Sequence, residues 1–149
     1  MDWGQITFRL ANREDMPFLL DLRQQTMNPH LLASGVTPSV AEHERRILVR
    51  FDCAEIIELG GGAIGLLKIV RDGKDWCLIQ IQLKPGLQGQ GLGTQLIQSL
   101  IDEARKAEAS LSLQVLKANP ARRLYERLGF AVLTETTHAY QMRLERHVL

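Results

Sequence analysis

A chain of 149 residues is long enough for one domain with a full hydrophobic core. It is 45% hydrophobic and 23% charged, and its net charge of +1 gives no reason to expect a nucleic-acid or membrane partner. Cys53 and Cys77 form neither a disulfide framework nor a CxxC motif, so reduced thiols and a cytoplasmic location are expected. The N-terminus lacks a signal-peptide pattern, and no 18-residue apolar run is present.

A strand and a helix are predicted first. Residues 6–10 alternate apolar and polar side chains, as a half-buried strand does. Asn12 then caps a helix whose apolar residues recur at helical spacing to about Met27. We expect Asn28-Pro29 to end this helix and residues 30–38 to form a loop.

A second helix and three strands follow. Ser39 is predicted to cap the helix. Two strands over 54–59 and 63–70 are joined at three glycines, and Asp72-Gly73 is a hairpin turn into a strand over 76–83. The apolar face predicted for the second helix consists of Ile47, Leu48 and Phe51.

One glycine pattern in this region imitates a dinucleotide-binding motif. Residues 60–65, Gly-Gly-Gly-Ala-Ile-Gly, fit G-x-G-x-x-G. That motif requires a helix immediately afterwards, whereas residues 66–70 read as a strand rich in branched side chains. A hairpin turn is therefore predicted here.

A second glycine-rich segment, Gln88 to Thr94, precedes a helical pattern that begins at about Leu92. Glycines allow a ligand to approach the backbone, and the first N–H groups of a helix have no partners within it. This arrangement favours a phosphate or diphosphate, although it lacks the Gly-Lys-Ser/Thr of a Walker A motif. The apolar face of the helix is predicted to consist of Leu92, Leu96, Ile97, Leu100, Ile101 and Ala104.

The last quarter of the chain predicts three strands and a short helix. The strands cover 111–116, 131–135 and 139–144. Asn119-Pro120 is expected to open the helix, and Gly129 to close it. The predicted order is β-α-α-β-β-β-α-β-α-β-β, a mixed α/β (α+β) fold, and residues Leu124 and Leu128 of the short helix are predicted to point inward.

Several blocks in the second half resemble the GNAT superfamily of N-acetyltransferases. Gln88, Gly91 and Gly93 fit the acyl-CoA signature Q/R-x-x-G-x-G/A. Asn119 is followed at +2 by Ala121, at +6 by Tyr125 and at +10 by Gly129-Phe130, which resembles a second block of that family. The strong match covers residues 78–130 and implies a single domain over 1–149. Its central sheet would be mostly antiparallel, split near Leu83 and Leu116, with helices on both faces.

The resemblance implies that acetyl-CoA binds as cosubstrate. No metal is expected, because the sequence has neither an HExxH motif nor a Cys/His cluster. Backbone N–H groups of the glycine loop would hold the diphosphate, and a side chain at Gly91 or Gly93 would collide with it. A main-chain N–H near Ile81 to Leu83 would face the thioester oxygen. The residues implied to bind the cofactor are Ile81, Leu83, Gln88, Gly89, Gln90, Gly91, Leu92, Gly93, Thr94, Asn119, Ala121 and Tyr125.

The chemistry implied is direct acetyl transfer to a primary amine of a small molecule or peptide. Tyr125 matches the general acid of the family, which protonates the leaving thiolate. The general base is not identified, because the strand before the loop carries Gln80 and Gln82, and an amide cannot take up a proton. Arg23 lies in the segment that resembles the variable acceptor-binding region and is a candidate for binding an acceptor carboxylate, with Gln80 and Gln82 lining the same cleft.

Two other functions remain open at this point. A non-catalytic acyl-CoA-binding or regulatory module would keep the glycine loop without acid–base groups. A protein N-acetyltransferase would differ only in its acceptor. Neither nucleic acid nor a membrane is expected as a partner, and a homodimer is compatible with the resemblance.

Overall fold

The computed structural model describes residues 6–33, 38–87 and 91–146, with only the backbone described over 27–33. Seven strands form a mostly antiparallel sheet in the order β1-β2-β3-β4-β5-β7-β6, and the β4–β5 pair is parallel. The predicted fold class and order of elements are confirmed. The strands are β1 (Ile6–Leu10), β2 (Ala54–Leu59), β3 (Gly62–Asp72), β4 (Asp75–Leu83), β5 (Ser110–Leu116), β6 (Ala131–Glu135) and β7 (Ala139–Leu144), and the helices are α1 (Met16–Ala33), α2 (Val40–Leu48), α3 (Leu92–Lys106) and α4 (Arg122–Arg127).

The chain forms two compact units. The first unit contains residues 1–68 and 80–90, and the second contains residues 69–79 and 91–149. Within the described residues, no helix is both long enough and apolar enough to cross a membrane.

The core of the first unit forms where α1 and α2 pack together with β2 and β3. Its helix starts are capped by side chains. Asn12 accepts the Glu14 N–H at 2.8 Å, and Asp15 reaches back to the Asn12 N–H at 2.8 Å. Ser39 Oγ accepts the Glu42 N–H at 3.2 Å, as predicted. The buried cluster consists of Leu19, Leu22, Ile47, Ala54, Ile56 and Leu66.

Two predictions for these helices were wrong. The Asn28-Pro29 pair does not end α1, which continues to Ala33 and so covers part of the predicted loop. Proline fixes φ at a helical value, so its cost here is limited mainly to one lost intrahelical hydrogen bond and local crowding. On α2, Leu48 is exposed rather than part of the apolar face, whereas His43 is buried.

The glycine pattern over 60–65 is a hairpin turn, as predicted. Gly60 and Gly61 have φ of 59° and 86°, values that favour glycine, and they connect β2 directly to β3. Gly65 has a separate role. A side chain there would run into the backbone carbonyl oxygen of Gln82, so the glycine allows β4 to approach β3 closely.

The second unit buries one face of α3, which packs against β5. All six apolar residues predicted for that face are buried. The short helix α4 begins at Arg122, and Ala121 rather than Asn119 is its N-cap. Asn119 still satisfies a backbone donor at this end, because its Oδ1 accepts the Ala121 N–H at 2.9 Å. Gly129 follows the helix with φ of 106°, as predicted for its closing residue.

Candidate active site

The N-terminus of α3 has backbone N–H donors that no side chain of the described residues caps. The helix starts from Gly91, whose φ is 81°, and no side chain caps it. The first intrahelical bond runs from the Gln95 N–H to the Gly91 carbonyl at 3.1 Å. The N–H groups of Leu92, Gly93 and Thr94 therefore have no acceptor within the helix. No acidic residue occupies the first turn, so the positive end of the helix dipole is not neutralised.

Gly93 lies in open space. It has no positive φ, and a Cβ built on it would meet no atom within 4 Å among the described residues. Neither backbone conformation nor packing therefore requires glycine at this position. Glycine within a helix is roughly 0.5–1 kcal/mol less favourable than alanine. Room for a ligand close to the backbone is a physical reason to keep it.

The predicted loop residues before Gly91 are not all described. Gln88, Gly89 and Gln90 lie outside the described residues, so the structure bears only on the C-terminal part of the loop. In that part, Leu92 is fully buried and anchors the helix, whereas the Thr94 side chain is exposed. Leu92 can thus contribute only its backbone N–H to a ligand, while Thr94 offers both its N–H and its hydroxyl.

A cavity opens where β4 and β5 stop pairing. Their parallel register runs from Asp75–Ser110 to Leu78–Leu113, although β5 continues to Leu116. The cavity has a volume of about 160 Å³. Its lining residues include the last two pairs of the shared register, Cys77–Ser112 and Leu78–Leu113, and residues just beyond them. It is lined by Cys77, Leu78, Ile79, Ser112, Leu113, Gln114 and Gln141.

Tyr125, the predicted general acid, is a half-buried residue of α4. Its ring makes an edge-to-face contact with Phe130, with centroids 5.8 Å apart and an interplanar angle of 67°. Burial raises the pKa of Tyr125 above its ordinary value of 10.0. Among the described residues its hydroxyl has no hydrogen-bond partner. The ring is thus fixed by packing while the hydroxyl remains protonated at neutral pH and free to donate.

The segment leading to Tyr125 is also ordered by local contacts. The Asn119 Oδ1 accepts a hydrogen bond from the Ala121 N–H, so the side-chain nitrogen of Asn119 is the group that could donate to a ligand. The Arg122 guanidinium lies over the Tyr140 ring at 4.2 Å and its Nε donates to Glu126 at 2.6 Å. The contact with Tyr140 joins the start of α4 to β7, and the bond to Glu126 lies within α4.

In the first unit, the C-terminal half of β4 carries the remaining predicted residues. Ile81 is half-buried and Leu83 is buried. The close approach of β3 at Gly65 fixes the backbone at Gln82, and the Lys84 N–H donates to the Ile64 carbonyl at 2.9 Å. This end of β4 therefore has a well-defined main-chain course. Gln80 is half-buried.

The Gln82 side chain is oriented by α1. Its Nε2 donates to Thr26 Oγ1 at 3.3 Å, and the Thr26 hydroxyl donates to the Leu22 carbonyl at 2.9 Å. Because the hydroxyl proton is directed at Leu22, the Thr26 oxygen can only accept from Gln82. Gln82 must therefore turn its Nε2 toward α1, which leaves Oε1 as an acceptor without a partner among the described residues.

Arg23 is held by a buried histidine. Its Nε donates to His43 Nδ1 at 3.0 Å, so the imidazole proton lies on Nε2. Burial, followed by repulsion from Arg46, lowers the pKa of Arg23. In the described part of the chain, the two Nη groups of Arg23 have no hydrogen-bond or ion-pair partner.

Lys68 extends this positive region. It is 2% exposed, and its ammonium donates to the carbonyls of Ile47 at 2.8 Å and Val49 at 2.6 Å at the end of α2. Burial lowers the pKa of Lys68; Cys53 acts in the opposite direction and Arg23 in the same direction as burial. Arg46 and Lys68 therefore each interact electrostatically with Arg23.

The structure divides the predicted site residues between the units. Gln80, Ile81, Gln82, Leu83 and Arg23 belong to the first, and Gly91 to Thr94, Asn119, Ala121 and Tyr125 belong to the second. Thr26 lies in the same segment as Arg23, which the sequence assigned to acceptor binding, but its contact with Gln82, 56 residues away, was not predicted. His43 is absent from the residues that the sequence predicted for the site, because it lies on the face of α2 that holds Ile47, where a single histidine gives no signal. Among the described residues, no group of three or more His, Cys, Asp or Glu could bind a metal.

An uncapped helix start, a cavity at the end of the β4–β5 register and a tyrosine fixed through its ring all belong to the second unit. The acetyltransferase (GNAT) family model matches residues 16–130, so the chain belongs to this family. No curated protein matches the chain significantly.

Three solved structures illustrate the shared fold. PaiA N-acetyltransferase from Thermoplasma acidophilum, in complex with coenzyme A, is 16% identical with a TM-score of 0.69, over 95% of this chain and 99% of that chain. The ribosomal-protein-S18-alanine N-acetyltransferase from Escherichia coli is 24% identical with a TM-score of 0.69, over 97% and 96%. A spermidine N-acetyltransferase chimera of Vibrio cholerae SpeG and hSSAT is 21% identical with a TM-score of 0.68, over 95% and 96%.

Proposed function

We propose that this member of the GNAT family is an acetyl-CoA-dependent N-acetyltransferase that acts on a primary amine of a small molecule or peptide. The observation that carries the proposal is the start of α3, with its unpartnered N–H groups and the open space around Gly93. The family match, which spans residues of both compact units, supports a single catalytic domain over 1–149.

The residues present fit coenzyme A. The N–H groups of Leu92, Gly93 and Thr94 would hold the diphosphate, together with the glycine loop from Gln88. The cavity where β4 and β5 separate would take the pantetheine arm, whose amides would bond to the main chain there, and Asn119 would add its amide nitrogen. When bound, acetyl-CoA supplies the acetyl group as a thioester.

Tyr125 is proposed as the general acid. Its raised pKa keeps the hydroxyl protonated, and its proton would go to the sulfur of the departing thiol. A main-chain N–H between Ile81 and Leu83 would hydrogen-bond the carbonyl oxygen of the acetyl group. Transfer would be direct, because no cysteine or serine lies in a nucleophile motif.

The amine must be neutral to attack. An ordinary lysine-like amine has a pKa of about 10.4, so only a small fraction is neutral at pH 7. Gln80 and Gln82 cannot remove the proton, so deprotonation would proceed through water, with the Gln82 Oε1 as a hydrogen-bond acceptor for the amine. This absence of a carboxylate at 80 and 82 also favours a second candidate function, a non-catalytic acyl-CoA-binding module.

Thiol release from acetyl-CoA separates the two functions. The acceptor panel would contain amino acids, peptides, polyamines and a ribosomal-protein N-terminal peptide. Turnover of any amine, with formation of the N-acetyl product by mass spectrometry, is the expected result. Micromolar binding of coenzyme A without turnover of any amine would instead favour the binding module. Loss of coenzyme A binding altogether would contradict both functions.

A further inference from the structure

The side chains of the first unit that surround Arg23 carry unbalanced positive charge. Arg23 interacts electrostatically with Arg46 and Lys68, and within the described residues no carboxylate forms an ion pair with any of the three. Lys68 is compensated by the carbonyl oxygens at the end of α2, where the helix dipole is negative. Arg23 has no such compensation on its Nη groups.

The geometry of Arg23 leaves those groups in a fixed position. Its Nε is anchored on His43 at 3.0 Å, in a half-buried setting that limits rotation of the guanidinium. An anchored guanidinium whose two Nη groups have no partner in the described part of the chain matches the two oxygens of a carboxylate. The cations around it would add to the attraction for an anion and repel a cation.

Arg23 lies on the same helix as Thr26, the residue that orients the Gln82 amide. Thr26, which holds Gln82, lies three residues after Arg23, so the two share one face of α1 with roughly 4.5 Å of helix rise between them. Arg23 and the residue that holds the Gln82 amide are therefore neighbours on α1, less than one helical turn apart.

We propose that the acceptor of the acetyl group is an amine that carries a carboxylate a few bonds away, such as an amino acid or a short peptide. Its carboxylate binds the Nη groups of Arg23, and its amine hydrogen-bonds to Gln82 Oε1. Thr26 is a positioning residue, because it fixes the direction of the Gln82 amide. A polyamine is a poor fit, since its second charge would face Arg23, Arg46 and Lys68. This inference rests on the proposed function.

The first test compares acceptors in matched pairs. Thiol release is measured with glycine, alanine, glutamate and Gly-Gly, each beside its carboxamide, and with spermidine. We expect kcat/KM for the acids to exceed that for the carboxamides at least tenfold. R23Q should remove this preference by raising KM for the acids at least tenfold, with KM for acetyl-CoA within twofold. R45Q, which removes an exposed arginine of α2, should change neither value.

Preference for spermidine or the carboxamides, or an unchanged acid preference in R23Q, would overturn the assignment while leaving the N-acetyltransferase function intact.

The positioning role of Thr26 is tested by comparing a variant that removes its hydroxyl with one that keeps it. T26V should lower kcat/KM for the preferred acid at least fivefold, and T26S, which keeps the hydroxyl, should restore it. Equal activity of T26V and T26S would remove the positioning role.

A second test does not depend on turnover. The N-acetyl derivatives of the same amino acids and of Gly-Gly, and their carboxamides, are titrated into the protein with coenzyme A present and followed by calorimetry. The acids should bind at least tenfold more tightly than the carboxamides in the wild type and in R45Q, but not in R23Q. Equal binding of acids and carboxamides, or no binding of any, would refute the carboxylate site. If the acids bind through Arg23 but no amine is acetylated, the carboxylate site stands and the catalytic function fails.

Discussion

Helices of the two units start in opposite ways. In the first unit, α2 begins with Ser39 accepting the Glu42 N–H, and Glu42 adds a negative charge to the first turn. In the second unit, α3 begins at Gly91 without a side-chain cap and without an acid in its first turn. Helix α2 thus receives a side-chain cap and a negative charge from the protein itself. Helix α3 leaves its donors and its dipole available, which is costly for the unliganded protein and useful only if an anion binds.

Polar side chains of the two units differ in the same way, because one has its hydrogen-bond partners within the protein and the other does not among the described residues. The Asp15 carboxylate of the first unit is bound by Arg9 at 2.7 and 2.9 Å and by the Asn12 N–H, so it stabilises the fold. In the second unit, Tyr125 is fixed through its ring only, and its hydroxyl has no partner in the described residues. We therefore expect changes at the first set to alter stability, and changes at the second to alter function.

The largest effect is expected for Y125F. The change keeps the edge-to-face contact with Phe130 and removes only the proposed proton donor. Loss of general acid catalysis should lower kcat by roughly 10²–10⁴-fold, with little change in melting temperature. The control is Y140F, which removes the hydroxyl of the only other tyrosine and should leave kcat unaltered. A kcat for Y125F within threefold of the wild type would contradict the assignment.

The next largest effect is expected for D15N, which should lower the free energy of unfolding. Arg9 lowers the pKa of Asp15, so the folded state binds a proton less readily than the unfolded state. The stabilisation is therefore present above the unfolded pKa of about 4 and is lost as the pH falls through the lower folded value. At pH 7, D15N should cost about 1–3 kcal/mol, toward the lower end because Arg9 is 40% exposed.

Urea denaturation at several pH values measures this dependence. The difference between D15N and the wild type should shrink as the pH falls below about 4. E14Q, which changes the exposed neighbouring carboxylate, should have nearly wild-type stability throughout. A difference for D15N that is independent of pH would mean that packing, rather than the charge pair with Arg9, accounts for the loss.

Much of the fold could be predicted because its signals are local. The buried face of α3 follows from apolar residues at helical spacing, and the Ser39 cap follows from one side chain and its neighbours. Proline at position 29 misled because a helix tolerates one lost hydrogen bond when surrounding residues favour it. The exposure of Leu48 and burial of His43 depend on how α2 is rotated against its neighbours, which spacing alone did not fix.

The candidate site was predictable only in its chemistry. Gly91, Gly93 and Tyr125 belong to motifs with fixed spacing, so the sequence could suggest both the cofactor and the acid. The orientation of Gln82 depends on a hydrogen bond to Thr26, 56 residues away, and the position of Arg23 depends on His43. Contacts of this kind arise from tertiary packing and leave no mark in a single sequence.

G93A gives a smaller but more diagnostic effect. Because the position is open and has no positive φ, alanine should stabilise the unliganded protein by up to about 1 kcal/mol. Because the family signature allows alanine here, G93A should bind coenzyme A nearly normally, whereas the larger side chain of G93L should weaken coenzyme A binding at least tenfold, as measured by calorimetry. G62A, at a position where the Cβ would make only an ordinary contact of 3.7 Å, should bind coenzyme A normally. Unchanged affinity in G93L would show that the open space is not the diphosphate site.

S39A tests the capped helix start of the first unit, as the changes at Gly93 test the uncapped start of α3. Alanine removes the acceptor for the Glu42 N–H and should cost about 1 kcal/mol in the free energy of unfolding. Coenzyme A affinity should not change, because this cap serves only the helix that it begins. S39T keeps a hydroxyl acceptor and should recover much of the loss. If S39A weakened coenzyme A binding as strongly as G93L does, the distinction between a helix start that serves the fold and one that serves a ligand would fail. Stability that falls in S39A and rises in G93A, together with coenzyme A affinity that is lost only in G93L, would place the anion site at α3 without requiring knowledge of the acceptor.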